Sequence, residues 1–155
     1  MIELGSTGLG EVSALSFNPN DGSLWAWADS EGLYKITLND GVIAKEEILV
    51  SDLEIEGLTW DSQGQSLYAV ANQQLWAWTP DTQQAQLVCN GLPSQVEALE
   101  MIDDDTLAFS IHSSANLNIY TWDINDVDNC AKQFSVKLKT IYDDVEGIAW
   151  PEGCF

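Results

Sequence analysis

Apolar and polar residues alternate along most of the chain in runs of four to six residues, and Asp, Asn, Gly and Pro break the runs. The first run is Val12-Ser13-Ala14-Leu15-Ser16-Phe17. A polar turn, Asn18-Pro19-Asn20-Asp21-Gly22, separates it from Ser23-Leu24-Trp25-Ala26-Trp27. A third run, Leu33-Tyr34-Lys35-Ile36, follows, and then a more variable fourth from Val42 to Val50. Alternation with a period of two predicts strands, and short polar breaks between them predict hairpins. No stretch carries the period of a helix.

The same series of runs returns. Ile55-Glu56-Gly57-Leu58-Thr59-Trp60, Val96-Glu97-Ala98-Leu99-Glu100-Met101 and Val145-Glu146-Gly147-Ile148-Ala149-Trp150 align with the first run, at a period of about 40 to 50 residues. Second runs follow at Ser66-Leu67-Tyr68-Ala69-Val70 and Thr106-Leu107-Ala108-Phe109-Ser110. Third runs are Leu75-Trp76-Ala77-Trp78 and Ile119-Tyr120-Thr121-Trp122, and fourth runs fall near Ala85 to Cys89 and Gln133 to Ile141. A recurring unit of four short strands predicts an all-β β-propeller, in which each blade buries both faces against its neighbours. This explains why the strands mix small, aromatic and aliphatic residues instead of alternating apolar with charged ones. A sandwich or a closed barrel requires no such repeat.

The expected blades span about 11–50, 54–91 and 95–141, with an extra inner strand over 145–150. The prediction is therefore a partial propeller: three four-stranded blades plus the first strand of a fourth, in a single domain covering 1–155. Propellers close with about four to eight blades. The chain is thus expected to begin and end within blades and to rely on other protein to cover its terminal faces. That protein is either the remainder of a longer propeller, the favoured reading, or a second copy in a homo-oligomer.

Composition narrows the partners. The chain has 155 residues, 45% of them apolar, so it folds despite a net charge of −20. That charge disfavours nucleic acid and anionic membrane surfaces, which repel it. No run reaches the roughly 20 apolar residues of a membrane span, and Met1-Ile2-Glu3-Leu4 does not open a signal peptide. The Lys-poor, Trp-rich composition is that of exported proteins, so an extracellular or periplasmic setting is expected.

The sharpest chemical pattern is the repeated φ-Glu-Gly-φ-x-Trp motif, φ being Val, Ile or Leu. Glu56, Glu97 and Glu146 share one position, which Ser13 takes in the first repeat. In a propeller that position opens the innermost strand beside the axial channel, so the carboxylates should approach one another. Glu11, Glu54 and Asp144, two residues upstream, deepen the negative field. Such a mouth suits a divalent cation such as calcium, with Glu56, Glu97, Glu146 and Asp144 as candidate ligands. In the plainer alternative, the glutamates cap strand amides and Gly57 and Gly147 permit close packing.

Ile55-Glu56-Gly57-Leu58 and Val145-Glu146-Gly147-Ile148-Ala149 resemble the strand-opening Glu-Gly of the gluconolactonase and senescence-marker propellers and of the phytase-like esterase propellers. In the gluconolactonase-like family such a Glu helps to hold a catalytic divalent metal, together with Asn and Asp from other blades. The resemblance therefore implies a metal-dependent lactonase or phosphoesterase as an alternative function. Glu97 is followed by Ala98, and Ser13 replaces the acid, so the match is full only at Glu56 and Glu146.

Other motifs carry less. Asp103-Asp104-Asp105 reads as a solvated hairpin turn, and Asp123-Ile124-Asn125-Asp126-Val127-Asp128-Asn129 departs from EF-hand register. Gly5-Ser6-Thr7-Gly8-Leu9-Gly10 lacks the Lys-Ser/Thr of a phosphate loop and reads as a linker. His112, the single histidine, has no nucleophile elbow or metal-binding spacing around it and reads as a hydrogen-bonded blade residue. Of the three cysteines, Cys130 and Cys154 are expected on one face and hence as a disulfide, with Cys89 a buried small apolar residue. Trp25, Trp27, Trp76, Trp78 and Trp122 recur at equivalent strand positions, which points to packing between blades rather than to carbohydrate stacking. The expected function is a non-catalytic recognition or assembly scaffold. The metal-dependent hydrolase and a self-assembling structural subunit are the alternatives.

Overall fold

The computed structural model describes residues 5–39, 42–51, 53–112, 117–126, 134–138 and 147–149. Its elements are strands throughout, in three four-stranded antiparallel sheets. Blade 1 holds β1 (Val12–Phe17), β2 (Leu24–Ala28), β3 (Gly32–Asn39) and β4 (Val42–Val50). Blade 2 holds β5 (Gly57–Trp60), β6 (Leu67–Ala71), β7 (Gln74–Thr79) and β8 (Gln84–Asn90). Blade 3 holds β9 (Val96–Met101), β10 (Thr106–Ile111), β11 (Leu117–Asp123) and β12 (Phe134–Leu138). In every blade the strands pair in chain order, the meander that short hairpins produce. The first strands of successive blades lie side by side, β1 against β5 and β5 against β9, so the sheets fan from a common hub. The fold is a partial β-propeller.

Local chemistry sets the turns. In each first hairpin an Asn or Asp closes the loop through its side chain: Asn18 Oδ1 accepts from Asn20 N at 2.8 Å, Asp61 Oδ1 from Gln65 N at 2.7 Å, and Asp103 Oδ1 from Thr106 N at 2.7 Å. Asp103 Oδ1 also accepts from Asp105 N at 3.0 Å, and this bond, with those from Thr106, holds the Asp103 carboxyl below its usual range. Between β6 and β7, Asn72 and Gln73 both adopt positive φ (49° and 66°) in a two-residue loop, the geometry whose twist matches the flanking strands.

The core lies between blades, as a propeller requires. Trp25, Trp27 and Leu33 of blade 1 pack with Leu58, Trp60 and Trp78 of blade 2. Trp25 meets Trp60 edge-on with centroids 5.1 Å apart, and Trp78 at 5.6 Å. A second cluster joins Val70, Leu75 and Leu92 to Leu99, Leu107, Phe109 and Trp122 across blades 2 and 3. The tryptophans thus serve packing, with Trp76 only partly buried.

Hydroxyls stitch the hub. Ser16 Oγ accepts the backbone N–H of Trp60 at 3.2 Å, and one blade further on Thr59 Oγ1 accepts that of Met101 at 3.1 Å. Ser16 and Thr59 occupy the same repeat position, so each satisfies a donor on the next inner strand that has no ladder partner there. Gly57 permits the close approach. A Cβ at that position would stand 2.8 Å from Leu99 Cβ and 3.0 Å from Leu99 N, whereas one at Gly147 would meet nothing within 4 Å.

Cys89 corrects the reading of the cysteines. It is buried, as expected, but it is disulfide-bonded rather than a free thiol. Cys130 and Cys154, the other two cysteines of the sequence, lie outside the described residues, and so does the expected bond between them. Of the expected strand over 145–150, only 147–149 is described, without ladder pairing, beside the inner strands.

Candidate functional site

The opening residues of the inner strands converge. Ser13, Glu56, Glu97 and Gly147 line one cleft of about 310 Å³, together with apolar neighbours from β1, β5 and β9. The repeat alignment is thus realised in space for three of its four members. Glu146 and Asp144 lie outside the described residues, as do Cys130 and Cys154.

Strand irregularity aims these side chains. In blade 1 the β1–β2 ladder pairs Val12 with Ala28 and Ala14 with Trp27, which leaves Ser13 as the extra residue of a bulge. In blade 3, Val96 pairs with Ile111 and Ala98 with Ser110, which leaves Glu97 in the same state. Glu56 stands just before β5, its N–H bonded to Val70 O at 3.1 Å. A bulge turns its extra residue out of the pleat, and here this delivers Ser13 and Glu97 to the cleft.

Each motif residue also has a polar context. Ser13 Oγ donates to Asp29 Oδ1 at 2.7 Å. Glu97 Oε1 stands 3.2 Å from Nδ1 of His112, so the histidine is paired, in keeping with its expected hydrogen-bonded role. Desolvation raises the Glu56 carboxyl above its ordinary range, and the negative charges of Asp29 and Glu54 add to the rise. Asp29 and His112 are the two members the sequence argument missed. Both directly follow a second strand, at equivalent positions of their repeats, and extending the alignment by two residues past each second run would have found them.

The cleft is therefore acidic, and His112 is paired with one of its carboxylates. Among the described residues no group of three or more His, Cys, Asp or Glu side chains is placed to hold a metal ion. Glu56 and Glu97 supply two carboxylates on neighbouring strands, hard oxygen donors of the type calcium takes. The opposite end of the inner strands opens onto a second cleft of about 500 Å³, bordered by Leu15, Phe17, Thr59, Asp61, Glu100 and Asp103. The two clefts mark the two ends of the axis.

No family model matches the chain, and no curated protein matches it. Solved structures do. The iodide structure of a Trichoderma reesei carbohydrate-active enzyme of family AA12 aligns with TM-score 0.65 and 20% identity over 81% of this chain. The holo PQQ domain of pyranose dehydrogenase from Coprinopsis cinerea aligns with TM-score 0.61 and 16% identity over 77%. The structure of U3-55K aligns with TM-score 0.58 and 14% identity over 90%. The chain spans 39%, 35% and 42% of those structures respectively. They are propeller-type folds, and at these identities the likeness is one of fold.

Proposed function

We propose that this chain is a propeller segment acting as an assembly and recognition scaffold, whose open blade face takes a further blade and whose acidic mouth takes a divalent cation. One observation carries the reading. On the side of blade 1 away from blade 2, Leu15, Phe17 and Leu38 are 56%, 67% and 50% exposed, although the equivalent faces of blades 2 and 3 are packed against a neighbour. Phe17 stands where Trp60 and Met101 stand in the next repeats, so the occupant this face fits is another blade with an apolar face and a hub hydroxyl. The Gly5–Gly10 segment, read as a linker, follows the rim of this blade: Gly10 N donates to Glu31 Oε1 at 3.0 Å, and Gly8 O accepts from Lys45 Nζ at 3.1 Å. The disulfide at Cys89 supports an oxidising compartment, extracellular or periplasmic.

Sedimentation of the isolated chain over a range of concentrations tests the reading. Reversible association that Phe17→Asp abolishes is expected, and a monomer at every concentration, identical to Phe17→Asp, refutes it. Millimolar calcium should raise the melting temperature of the wild type and not that of Glu56→Gln. The convergence of Glu56 and Glu97 also favours a second reading, the metal-dependent hydrolase implied by the gluconolactonase-like motif. Calcium-dependent turnover of lactones or phosphoesters, lost in Glu56→Gln, would select it.

A further inference from the structure

The ladder rows of blades 1 and 2 agree near the hub and part at the rim. In blade 2, Trp60, Leu67, Trp78 and Ala85 form one row and Leu58, Ala69, Trp76 and Leu87 the next, on the face turned to blade 1. The matching rows of blade 1 are Phe17, Leu24, Ile36 and Lys45, and Leu15, Ala26, Tyr34 and Glu47. Two charged residues, Lys45 and Glu47, thus stand where blade 2 has Ala85 and Leu87.

The change at the rim has its counterpart in the segment before β1. Lys45 Nζ donates to Gly8 O at 3.1 Å, and Glu31 Oε1 accepts from Gly10 N at 3.0 Å. Thr7 borders a cleft of about 440 Å³ together with Phe17, Ile36, Leu38 and Ile43, and Lys45 Nζ stands 5.4 Å from the centroid of the Tyr34 ring. Tyr34 and Ile36 are buried although no described blade lies above them, whereas Leu15, Phe17 and Leu38 are open. At the equivalent place in blade 2, Trp27, Leu33 and Leu49 of the adjoining blade lie beside Trp76, Trp78 and Ala85. An added blade and the segment therefore claim the same part of the face.

We propose that residues 5–10 form a strap over the rim half of the open face of blade 1, and that the strap must lift before another blade can seat there. The inference rests on the reading of that face as an assembly surface and adds its regulation. The hold is light by construction. Each clamp is one exposed hydrogen bond, which contributes little by itself. Gly5, Gly8 and Gly10 let the backbone swing, the first two at positive φ (126° and 65°). The apparent association constant is then the intrinsic one multiplied by the fraction of chains whose strap is lifted.

Lys45→Ser removes one clamp, adds no apolar surface and makes the chain more negative, so neither stickiness nor relief of charge repulsion accounts for a gain. In sedimentation equilibrium it should associate about two- to five-fold more tightly than the wild type, the worth of one such bond. Phe17→Asp in the same chain should abolish that association. In the 15N-labelled wild type, the Gly8 and Gly10 amide resonances should move with concentration in step with association. Equal or weaker association of Lys45→Ser, or association that leaves both amides unmoved, overturns the strap; where Phe17→Asp still abolishes that association, the assembly face stands without it. Monomers at every concentration for both the wild type and Lys45→Ser overturn the strap and the reading of the face together.

Discussion

Replacing Gly57 by Ala puts the radial packing of the blades to a direct test. The new methyl would lie 2.8 Å from Leu99 Cβ, 3.0 Å from Leu99 N and 3.2 Å from the carbonyl carbon of Ala98. These atoms belong to β9 itself and cannot swing aside like the end of a long side chain, so β5 and β9 must part. Overpacking of this kind costs about 1–3 kcal/mol. Alanine returns roughly 0.4–1 kcal/mol by restricting the unfolded chain, because Gly57 does not require a positive φ. The net loss is about 1–2 kcal/mol, and at roughly 2–4 °C per kcal/mol for a chain of this length the melting temperature should fall by about 2–8 °C. Equilibrium urea unfolding followed by tryptophan fluorescence reads the same difference as a lower midpoint at unchanged slope. Gly147→Ala, where the added carbon meets nothing within 4 Å, serves as the control and should change stability by less than about 0.5 kcal/mol. A Gly57→Ala protein as stable as the wild type would mean that the inner strands do not approach so closely, and the argument from the hub would fail with it.

Three further outcomes follow from the same structure. Trp25→Ala removes a ring that contacts both Trp60 and Trp78 and should cost about 3–5 kcal/mol in urea unfolding; a loss near zero would deny the interblade core. Because the folded pKa of Glu56 is raised, the native state binds its proton more tightly than the unfolded chain does, and stability should decline as pH rises from the ordinary carboxyl value of 4.5 through the raised one. Glu56→Gln should flatten that decline in melts taken across pH, and an unchanged profile contradicts the assigned desolvation and repulsion. Peptide mapping without reductant should find Cys89 linked to a peptide containing Cys130 or Cys154, and a free Cys89 thiol refutes the bond.

The propeller was legible because its signals are local and repeated. Period-two runs such as Leu24-Trp25-Ala26-Trp27 and Leu75-Trp76-Ala77-Trp78 declare strands, and their recurrence declares blades. The convergence of Glu56 with Glu97 also followed from alignment alone. The cause of that convergence did not, because a bulge at Ser13 or Glu97 is defined by the pairing of two strands, and the doubled apolar residues Ala14-Leu15 and Ala98-Leu99 that break the alternation beside it do not by themselves say which residue is left unpaired. The pairing of His112 with Glu97 was hidden for the same reason: the two are neighbours across a ladder and distant along the chain. Three cysteines permit several connectivities, and nothing in their spacing chose Cys89.

The bridge from Thr59 to Met101 and its counterpart from Ser16 to Trp60 give the array of blades a sense of direction. Blade 2 offers an acceptor, Thr59, on one flank and a donor, the Trp60 amide, on the other, so a blade added in the same pattern joins head to tail. A two-fold symmetric pairing, which brings like flanks together, would leave two amide donors facing each other. Any assembly grown through these flanks is consequently heterologous: it closes into a ring when the rotation per blade divides the circle, and otherwise winds on as a spiral.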